Sequence, residues 1–206
     1  MRYFLIATTA LALGWSIPAS AFEPRPDLSE ITPAPEGKLT NAARPLAYRL
    51  DLTLDPSQER FSGKVEIDIE LTKINNFIDL HGRDLAISSA TTRVDGRLLK
   101  GVWRDMGNGG VGRLVFPEHL PVGRYTLAFE YDAPFQSGPA GLFRVKVADQ
   151  WYNWSQFQSI DARAAFPGFD EPGFKTPFTV TLRTRPGEVA VSNAPQVSTS
   201  LEGGLE

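Results

Sequence analysis

The strongest constraint in this sequence is the alternation of apolar and polar residues along two separate stretches. In the first, every second residue from Tyr48 to Leu54 is apolar, and the residues between them are polar or charged. In the second, the odd positions of 61–71 are apolar except for Gly63, and the even positions from 64 to 70 all carry charges. Because side chains of a β-strand point alternately to its two faces, this period of two predicts two half-buried strands.

The same pattern recurs in shorter stretches farther along the chain. It predicts further strands at 85–87, 114–116, 125–131, 178–182 and 189–191. Asp95-Gly96 is a dipeptide favoured in tight hairpin turns, and Pro121-Val122-Gly123 also marks a turn. No stretch repeats apolar residues at the helical spacing over three turns, and 18 Gly and 16 Pro interrupt the chain. The sequence therefore predicts an all-β fold of antiparallel hairpins, arranged as a sandwich or a broad curved sheet.

The N-terminus has the pattern of a secretory signal. Arg2 precedes an apolar run from Tyr3 to about Trp15, and Ala19-Ser20-Ala21 matches a cleavage site. The alternative is an uncleaved membrane anchor, but the run is shorter than the ~20 apolar residues that span a bilayer. We therefore expect residues 1–21 to be removed and the mature chain to be exported to a periplasm or extracellular space, with no membrane span after cleavage.

Composition narrows the possible partners and the source of stability. A formal net charge of -3 with 22% charged residues gives no reason to expect nucleic acid as a partner. The chain has no Cys, so an exported form must be stabilised by buried area without disulfides. Residues 22–44 contain four Pro among charged and small residues, which predicts an extended Pro-rich tether before a β domain at 45–206.

Few residues are suited to catalysis. A zinc hydrolase typically carries H-E-x-x-H on a helix, but only His81 and His119 are present, far apart, and we interpret them as strand-end or loop histidines. Neither Cys nor a G-x-S-x-G motif is available for nucleophilic catalysis. Asp170 and Glu171 resemble a glycosidase carboxylate pair, but neighbours in an extended segment point to opposite sides, which favours a structural use.

An aromatic cluster precedes this acidic pair. Trp151, Tyr152 and Trp154 are suited to stacking on sugar rings, although alternation places Tyr152 and Trp154 on one face and Trp151 on the other. Packing at the rim of the core is therefore an equal alternative. Asn153-Trp154-Ser155 is also a glycosylation sequon, which matters only in a host that glycosylates.

The segment "DARAAFPGFDEPGFK", residues 161–175, resembles the signature of the aminopeptidase N family of zinc exopeptidases. The resemblance continues, in the same order along the chain, through "PLAYRLDLTLD", "FSGKVEIDIEL", "IDLHGRDLAI", "GRYTLAFEY", "GLFRV" and "VSNAP". It covers about 45–195. One departure is Gly168, where many relatives carry Cys, and this bears on packing.

The resemblance implies a saddle-like N-terminal β domain that leans on a separate catalytic domain. In that family catalysis lies downstream, in a G-A-M-E-N loop and an H-E-x-x-H helix with a distant Glu, and this chain contains neither motif. We therefore expect this chain to be truncated, to bind no zinc and to be inactive alone. The complete enzyme would need zinc and would act on a peptide substrate.

The resemblance also assigns roles to residues of this chain. Gln156 and Gln158 match two family positions that reach into the catalytic cleft, where amide oxygens accept hydrogen bonds from a substrate α-ammonium. Being two residues apart, they are expected on the same face of a strand; the alternative is a solvated polar face.

The charged residues that follow are interpreted as a structural corner. Pro167 and Pro172 restrict the backbone, and four phenylalanines between 166 and 178 are expected to anchor it to a core. The charges are expected to pair across the corner, with Arg163 bonded to Asp161 or Asp170. The charged corner residues are Asp161, Arg163, Asp170, Glu171 and Lys175.

Two functions from different classes remain open at this point. The first is the N-terminal domain of an exported zinc aminopeptidase, which completes a substrate cleft. The second is a stand-alone secreted β module that binds peptide or carbohydrate without catalysis. An H-E-x-x-H sequence encoded beyond Glu206 would favour the first.

Overall fold

A computed structural model of the chain describes residues 27–107, 109–201 and 204–205. The predicted signal peptide, residues 1–21, lies outside the described residues. Among the helices that are described, none combines the length and the apolar character needed to cross a membrane.

The all-β prediction is confirmed. The described strands are β1 (Ala43–Thr53), β2 (Arg60–Leu71), β3 (Asn75–His81), β4 (Ala86–Val94), β5 (Arg97–Lys100), β6 (Val102–Asp105), β7 (Val111–Leu120), β8 (Gly123–Pro134), β9 (Gly141–Val147), β10 (Gln150–Gln156) and β11 (Phe178–Arg183). The only helical pieces in the described ranges are a single turn, α1 (Leu28–Ile31), and a 3₁₀ turn (Ala162–Ala164).

The strands form three sheets. A six-stranded sheet has the order β11-β1-β2-β8-β4-β5, a three-stranded sheet has the order β3-β7-β6, and β9 pairs with β10. The six-stranded sheet is not purely antiparallel, because β11 runs parallel to β1, with Tyr48 opposite Phe178. The alternation predicted the strand at 178–182 but not its direction, since a strand that returns through a long connection can pair either way.

The core lies between the six-stranded and three-stranded sheets. The apolar residues of β2 and β8 that share one parity are buried, and Ile67, Ile69 and Leu127 are fully so. Strand β3 is buried along nearly its whole length, which masks any alternation and explains why periodicity did not predict it. Each large aliphatic side chain buried in this way contributes about 1.5–3 kcal/mol.

Gly63 interrupts the apolar alternation of β2 for a packing reason. It lies directly opposite Tyr131 of β8, and a Cβ at this position would come within 2.4 Å of the Tyr131 ring. The Tyr131 side chain therefore fills the place that a side chain at 63 would take.

The outer face of the six-stranded sheet is covered by ion pairs between neighbouring strands. Arg49 contacts Glu66 and Asp68 at 2.7 Å each, and Lys64 contacts Glu130 at 2.8 Å. Hydrogen bonds from Arg49 lower the pKa of Asp68 to about 2. These pairs are exposed, so each adds little to stability, but together they give this face a polar, solvent-exposed surface.

Two local predictions have different outcomes. The Asp95-Gly96 turn is confirmed: both residues have positive φ, 49° and 79°, and Val94 pairs with Arg97 across it. The strand predicted at 189–191 is wrong, because the structure has no strand there and Val189 and Val191 are 88% and 84% exposed. In the described chain this segment has no neighbouring strand with which to form a ladder.

Residues 27–39, here called the N-terminal strap, are packed against the domain. The sequence predicts an extended tether at 22–44; in the described part of that range a single helical turn, α1, forms and β1 begins at Ala43. The helical turn is possible because the Asp27 carboxylate caps it, accepting from Ser29 N at 2.9 Å. Residues 22–26 lie outside the described residues.

A buried arginine holds the strap. Arg113 of β7 is 1% exposed and pairs with Asp79 of β3 at 2.7 Å. Its remaining N–H groups donate to the carbonyl oxygens of Ser29, Thr32 and Pro33 at 2.9, 2.6 and 3.3 Å. All three guanidinium nitrogens of Arg113 thus donate hydrogen bonds, and these bonds connect the strap to the three-stranded sheet.

Two buried tyrosines provide a matched test of hydrogen bonding in this core. Both are 3% exposed, but the Tyr48 hydroxyl accepts from Phe169 N at 2.9 Å, whereas the Tyr131 hydroxyl has no partner among the described residues. We expect Tyr131→Phe to raise the free energy of unfolding by about 1 kcal/mol, because it removes an unpaired buried group. Tyr48→Phe should lower it by about 1–3 kcal/mol, because the Phe169 N–H loses its acceptor. Urea unfolding measures both, and equal destabilisation by the two changes would contradict the assignment.

Candidate functional site

The candidate site is the corner segment, residues 157–178, which connects the end of β10 to β11. It begins with a turn closed by the Asp161 N–H, which donates to Phe157 O at 3.0 Å, and continues into the 3₁₀ turn. The chain then crosses the end of β3, where His81 and Gly168 exchange backbone hydrogen bonds of 2.7 and 2.9 Å. The corner is therefore fastened to the three-stranded sheet before it enters the six-stranded one.

Arg163 is the centre of the corner. Its side chain is 4% exposed and its Nε donates to Asp170 Oδ2 at 2.9 Å, which agrees with one of the two predicted pairings. Its Nη2 donates to Asp170 O at 3.0 Å and its Nη1 to Gly109 O at 2.5 Å. Gly110 is needed beside it, because a Cβ there would lie 2.9 Å from Arg163 Cδ at a φ of +83°.

The three remaining corner charges, Asp161, Glu171 and Lys175, do not pair with Arg163, and each has a different environment. Asp161 does not bind Arg163 but accepts from Arg83 Nη2 at 3.0 Å. Glu171 accepts from the backbone N–H of Leu39 in the strap at 2.7 Å. Lys175 is exposed and has no ion-pair partner within the described part of the chain.

His81 joins the corner to the strap. It is the last residue of β3, as interpreted from the sequence, and is fully buried. Its Nδ1 accepts from Asp170 N at 3.1 Å, so Nε2 carries the proton and donates to Gly37 O at 2.8 Å. Burial lowers the pKa of His81, with the Arg163 charge acting in the same direction. The ring is therefore held neutral, in a single tautomer.

A row of aromatic rings runs beneath the corner. Phe157 meets Phe166 edge-on at 6.0 Å, Phe166 meets Phe178 at 5.9 Å, and Phe178 stacks on Tyr48 at 4.4 Å. Of the four phenylalanines expected to anchor the corner, Phe166 and Phe169 are buried, Phe174 is partly buried and Phe178 is 49% exposed. The row links the end of β10 to β11.

A cleft of about 420 Å³ opens above these rings. Its polar lining includes Gln158, Ser159, Asp170, Glu171 and Lys175. Tyr48, Phe166 and Phe169 form part of its apolar lining. Gly168 also lines it, and a Cβ there would meet Tyr48 Oη at 3.2 Å, so a residue larger than glycine requires a small shift.

The two glutamines are placed differently from each other. Gln156 is the last residue of β10, opposite Gly141, and is exposed. Gln158 lies in the turn after the strand, where its peptide bond to Ser159 is cis, and lines the cleft. The expectation that both share one strand face is wrong, because the strand ends before Gln158.

The aromatic residues of β10 follow the predicted alternation. Tyr152 and Trp154 are 47% and 60% exposed on one face. Trp151 lies on the other face, with the Arg144 guanidinium 4.5 Å above its ring. The side-chain oxygen of Asn153, in the sequon, is buried without a hydrogen-bond partner in the described chain, so this asparagine faces the body of the domain.

The structure supplies no ligand set for a metal ion among the described residues. No group of three or more His, Asp or Glu side chains lies close enough together to hold one. His81 is used by the corner, and His119 lies in β7.

Sequence reasoning missed the two histidine contacts and the role of Arg113. A buried charge has one signal in sequence, namely a charged residue within an apolar run, as in "VGRLVF" around Arg113 and "FIDLH" around Asp79. The contacts of His81 had no such signal, since they join segments 44 and 89 residues away.

The fold and the cleft define a class of protein: an all-β domain whose Pro-containing corner segment lines a cleft with both polar and apolar side chains. The family model described as "Peptidase M1 N-terminal domain" matches residues 44–205. The chain belongs to this family of peptidase M1 N-terminal domains, and the resemblance to the aminopeptidase N family is thereby confirmed.

Curated relatives agree with this assignment. The chain is 30% identical over 175 residues to Aminopeptidase M1-D of Oryza sativa subsp. japonica, covering 83% of this chain and 20% of that protein. It is 30% identical over 186 residues to human Endoplasmic reticulum aminopeptidase 2, covering 84% and 19%. It is 31% identical over 225 residues to human Endoplasmic reticulum aminopeptidase 1, covering 98% and 23%. The chain spans about a fifth of the length of the relatives it matches.

The buried Arg163–Asp170 pair should be essential for stability. We expect Arg163→Ala to lower the free energy of unfolding by about 3–5 kcal/mol, because it leaves a largely buried carboxylate without its partner. Arg60→Ala is the matched control, since it breaks a pair with Asp132 in which both side chains are 49% exposed. That change should cost under about 1 kcal/mol. Urea denaturation compares the two, and similar small losses would contradict a central role for Arg163.

The neutral state of His81 predicts a dependence of stability on pH. Its pKa is lowered from 6.5 in the folded chain, so between that value and the folded pKa only the unfolded chain takes up the proton. Stability is therefore complete above pH 6.5 and falls as the pH drops, by up to about 1.4 kcal/mol per pH unit. His81→Gln should remove this slope, and His119→Gln should retain it. Unfolding curves measured between pH 7 and pH 5 test this, and a slope that persists without His81 would contradict it.

Proposed function

We propose that this chain is the N-terminal domain of an exported zinc aminopeptidase, and that it completes a cleft for the N-terminal end of a peptide substrate. The observation that carries the proposal is the position of Gln158 in the lining of the corner cleft. The family supports it, because the relatives are named aminopeptidases of which this chain spans about a fifth. Catalysis would then belong to polypeptide outside the described residues.

The chemistry of the cleft suits recognition of a free α-ammonium. The side-chain oxygen of Gln158 can accept a hydrogen bond from it, as can that of Gln156 at the end of β10. A neutral amide gives a weaker bond than a carboxylate, because only the donor is charged. The carboxylates of Asp170 and Glu171 are already bonded to Arg163 and to the strap.

The chain's own residues would bind and orient, and would not carry out the reaction. The described residues do not fit a zinc site, so the zinc of the complete enzyme would be held elsewhere in the polypeptide. There a bound zinc ion would supply an activated water for peptide hydrolysis. We expect the reading frame to encode an H-E-x-x-H sequence beyond Glu206, and the isolated 206-residue chain to hydrolyse no peptide.

A second candidate is a stand-alone module that binds carbohydrate or peptide without catalysis. The exposed rings of Tyr152 and Trp154 favour it, because such rings stack on sugars. Binding of oligosaccharides by the isolated chain, lost in Trp154→Ala, would support this alternative.

The proposed role of Gln158 can be tested in the complete enzyme. We expect Gln158→Ala to raise KM for amino-acid arylamides by about tenfold or more, because a hydrogen bond to a charged group is lost. Gln158→Glu should lower KM, because its bond to the ammonium is charge-assisted on both sides. Gln150→Ala is the matched control, since Gln150 is an exposed amide at the far end of β10. An unchanged KM in Gln158→Ala would remove the proposed role.

A further inference from the structure

The corner cleft contains two charges that no neighbouring charge compensates. Glu171 and Lys175 both line it, and neither has an ion-pair partner among the described residues. The third ionic group of the lining, Asp170, is paired with the buried Arg163 at 2.9 Å. The cleft therefore presents one negative and one positive group to a ligand.

The outer face of the six-stranded sheet treats its charges differently. Neighbouring opposite charges there contact each other, as Lys64 does Glu130 at 2.8 Å. Glu171 and Lys175 are only four residues apart, but their charged atoms do not come within the distance of an ion pair. A ligand that carries both charges could therefore bind between them without having to break a pair.

The Glu171 carboxylate is held in place from behind. The backbone N–H of Leu39 in the strap donates to Glu171 Oε1 at 2.7 Å, and Leu39 itself is buried. The other carboxylate oxygen has no hydrogen-bond partner within the described ranges, although a carboxylate can accept several hydrogen bonds. Glu171 is thus positioned before a ligand arrives, which reduces the entropy lost on binding.

A tight turn brings the two charged residues together. The Phe174 N–H donates to Glu171 O at 3.1 Å, which closes a four-residue turn just before Lys175. The first and last Cα atoms of such a turn lie within about 7 Å of each other. The side chains of Glu171 and Lys175 therefore leave the backbone at nearby points and line the same cleft, which favours a ligand with its two charges close together.

The rest of the lining suits an apolar side chain. The rings of Tyr48, Phe166 and Phe169 form part of the apolar lining, and Phe174 meets Phe169 edge-on at 5.7 Å. Gln158 adds an amide oxygen that can accept from an ammonium. An anionic acceptor, a cation and apolar rings in one cleft match the three parts of an apolar α-amino acid, whose ammonium and carboxylate share one carbon atom.

We propose that the corner cleft binds a free apolar α-amino acid, with its ammonium at Glu171 and Gln158 and its carboxylate at Lys175. This inference rests on the proposed function, because a free amino acid is the product that an aminopeptidase releases. The first residue of an intact peptide has the ammonium but an amide in place of the carboxylate. Lys175 thus distinguishes product from substrate, and retained product competes with the next peptide.

Three related ligands test the two charge contacts in the isolated 206-residue chain. L-leucine carries both charges, L-leucinamide lacks the carboxylate, and N-acetyl-L-leucine lacks the ammonium. We expect leucine to bind at least about fivefold more tightly than either analogue at pH 7, because each analogue loses one charge-assisted hydrogen bond. Titrations followed by NMR measure the three dissociation constants, and leucinamide that binds as tightly as leucine would overturn the proposal.

Matched variants assign each contact to its residue. Lys175→Met should weaken leucine and N-acetyl-leucine by about fivefold but not leucinamide. Glu171→Gln, which keeps an oxygen for the Leu39 N–H, should weaken leucine and leucinamide but not N-acetyl-leucine. Lys100→Met is the control, since Lys100 is exposed on β5, at the opposite edge of the six-stranded sheet from β11. Uniform weakening of all three ligands in Lys175→Met would overturn the assignment.

Inhibition of the full-length protein separates this inference from the proposed function. Lys175→Met should raise the inhibition constant of free leucine about fivefold relative to KM for leucine arylamide. Hydrolysis in which parent and variant have the same ratio overturns the amino-acid site and retains the function. Tighter binding of leucine than of its analogues by the isolated chain, without hydrolysis by the full-length protein, supports the amino-acid site and counts against the function.

Discussion

The buried pair of Arg163 and Asp170 is the interaction on which the corner depends. A guanidinium that is removed from water must have its N–H groups bonded, and this one donates to the Asp170 carboxylate, to the Asp170 carbonyl and to Gly109 O. Asp170 is held in turn through its own N–H, which donates to His81 Nδ1. Three segments that are distant in sequence thus meet at one pair of charges, and the position of the cleft follows from it.

The fold was largely predictable because its main strands are half-buried. At β2 and β8 one face meets the core and the other meets water, so alternation reveals both the strand and the face. At β3 both faces are buried, and the sequence there is simply apolar with an isolated charge. At 189–191 the alternation is present, but the structure has no strand there. Alternation shows only that a segment could pair as a strand; it does not show that a neighbouring strand is available.

The site could be predicted only where the interacting residues are close together in the sequence. The charges of the corner stood out because they are concentrated in one short segment, and the choice of Asp170 over Asp161 as the partner of Arg163 was left open by spacing. The contribution of the strap could not be predicted, because Gly37 O and Leu39 N act through their backbone groups, which every residue has. The position of Gln158 depended on where β10 ends, and strand boundaries are the least certain part of a pattern.

The same contacts that build the corner also set which charges line its cleft. Asp170 and Glu171 line the cleft and also build the corner: Asp170 pairs with Arg163, whereas one oxygen of Glu171 accepts from the backbone N–H of Leu39. Glu171 and Lys175 both lack an ion-pair partner within the described residues, so the lining carries one uncompensated charge of each sign. Under the proposed function, a ligand ammonium would therefore be favoured near the Glu171 carboxylate and the Gln158 amide and disfavoured near Lys175.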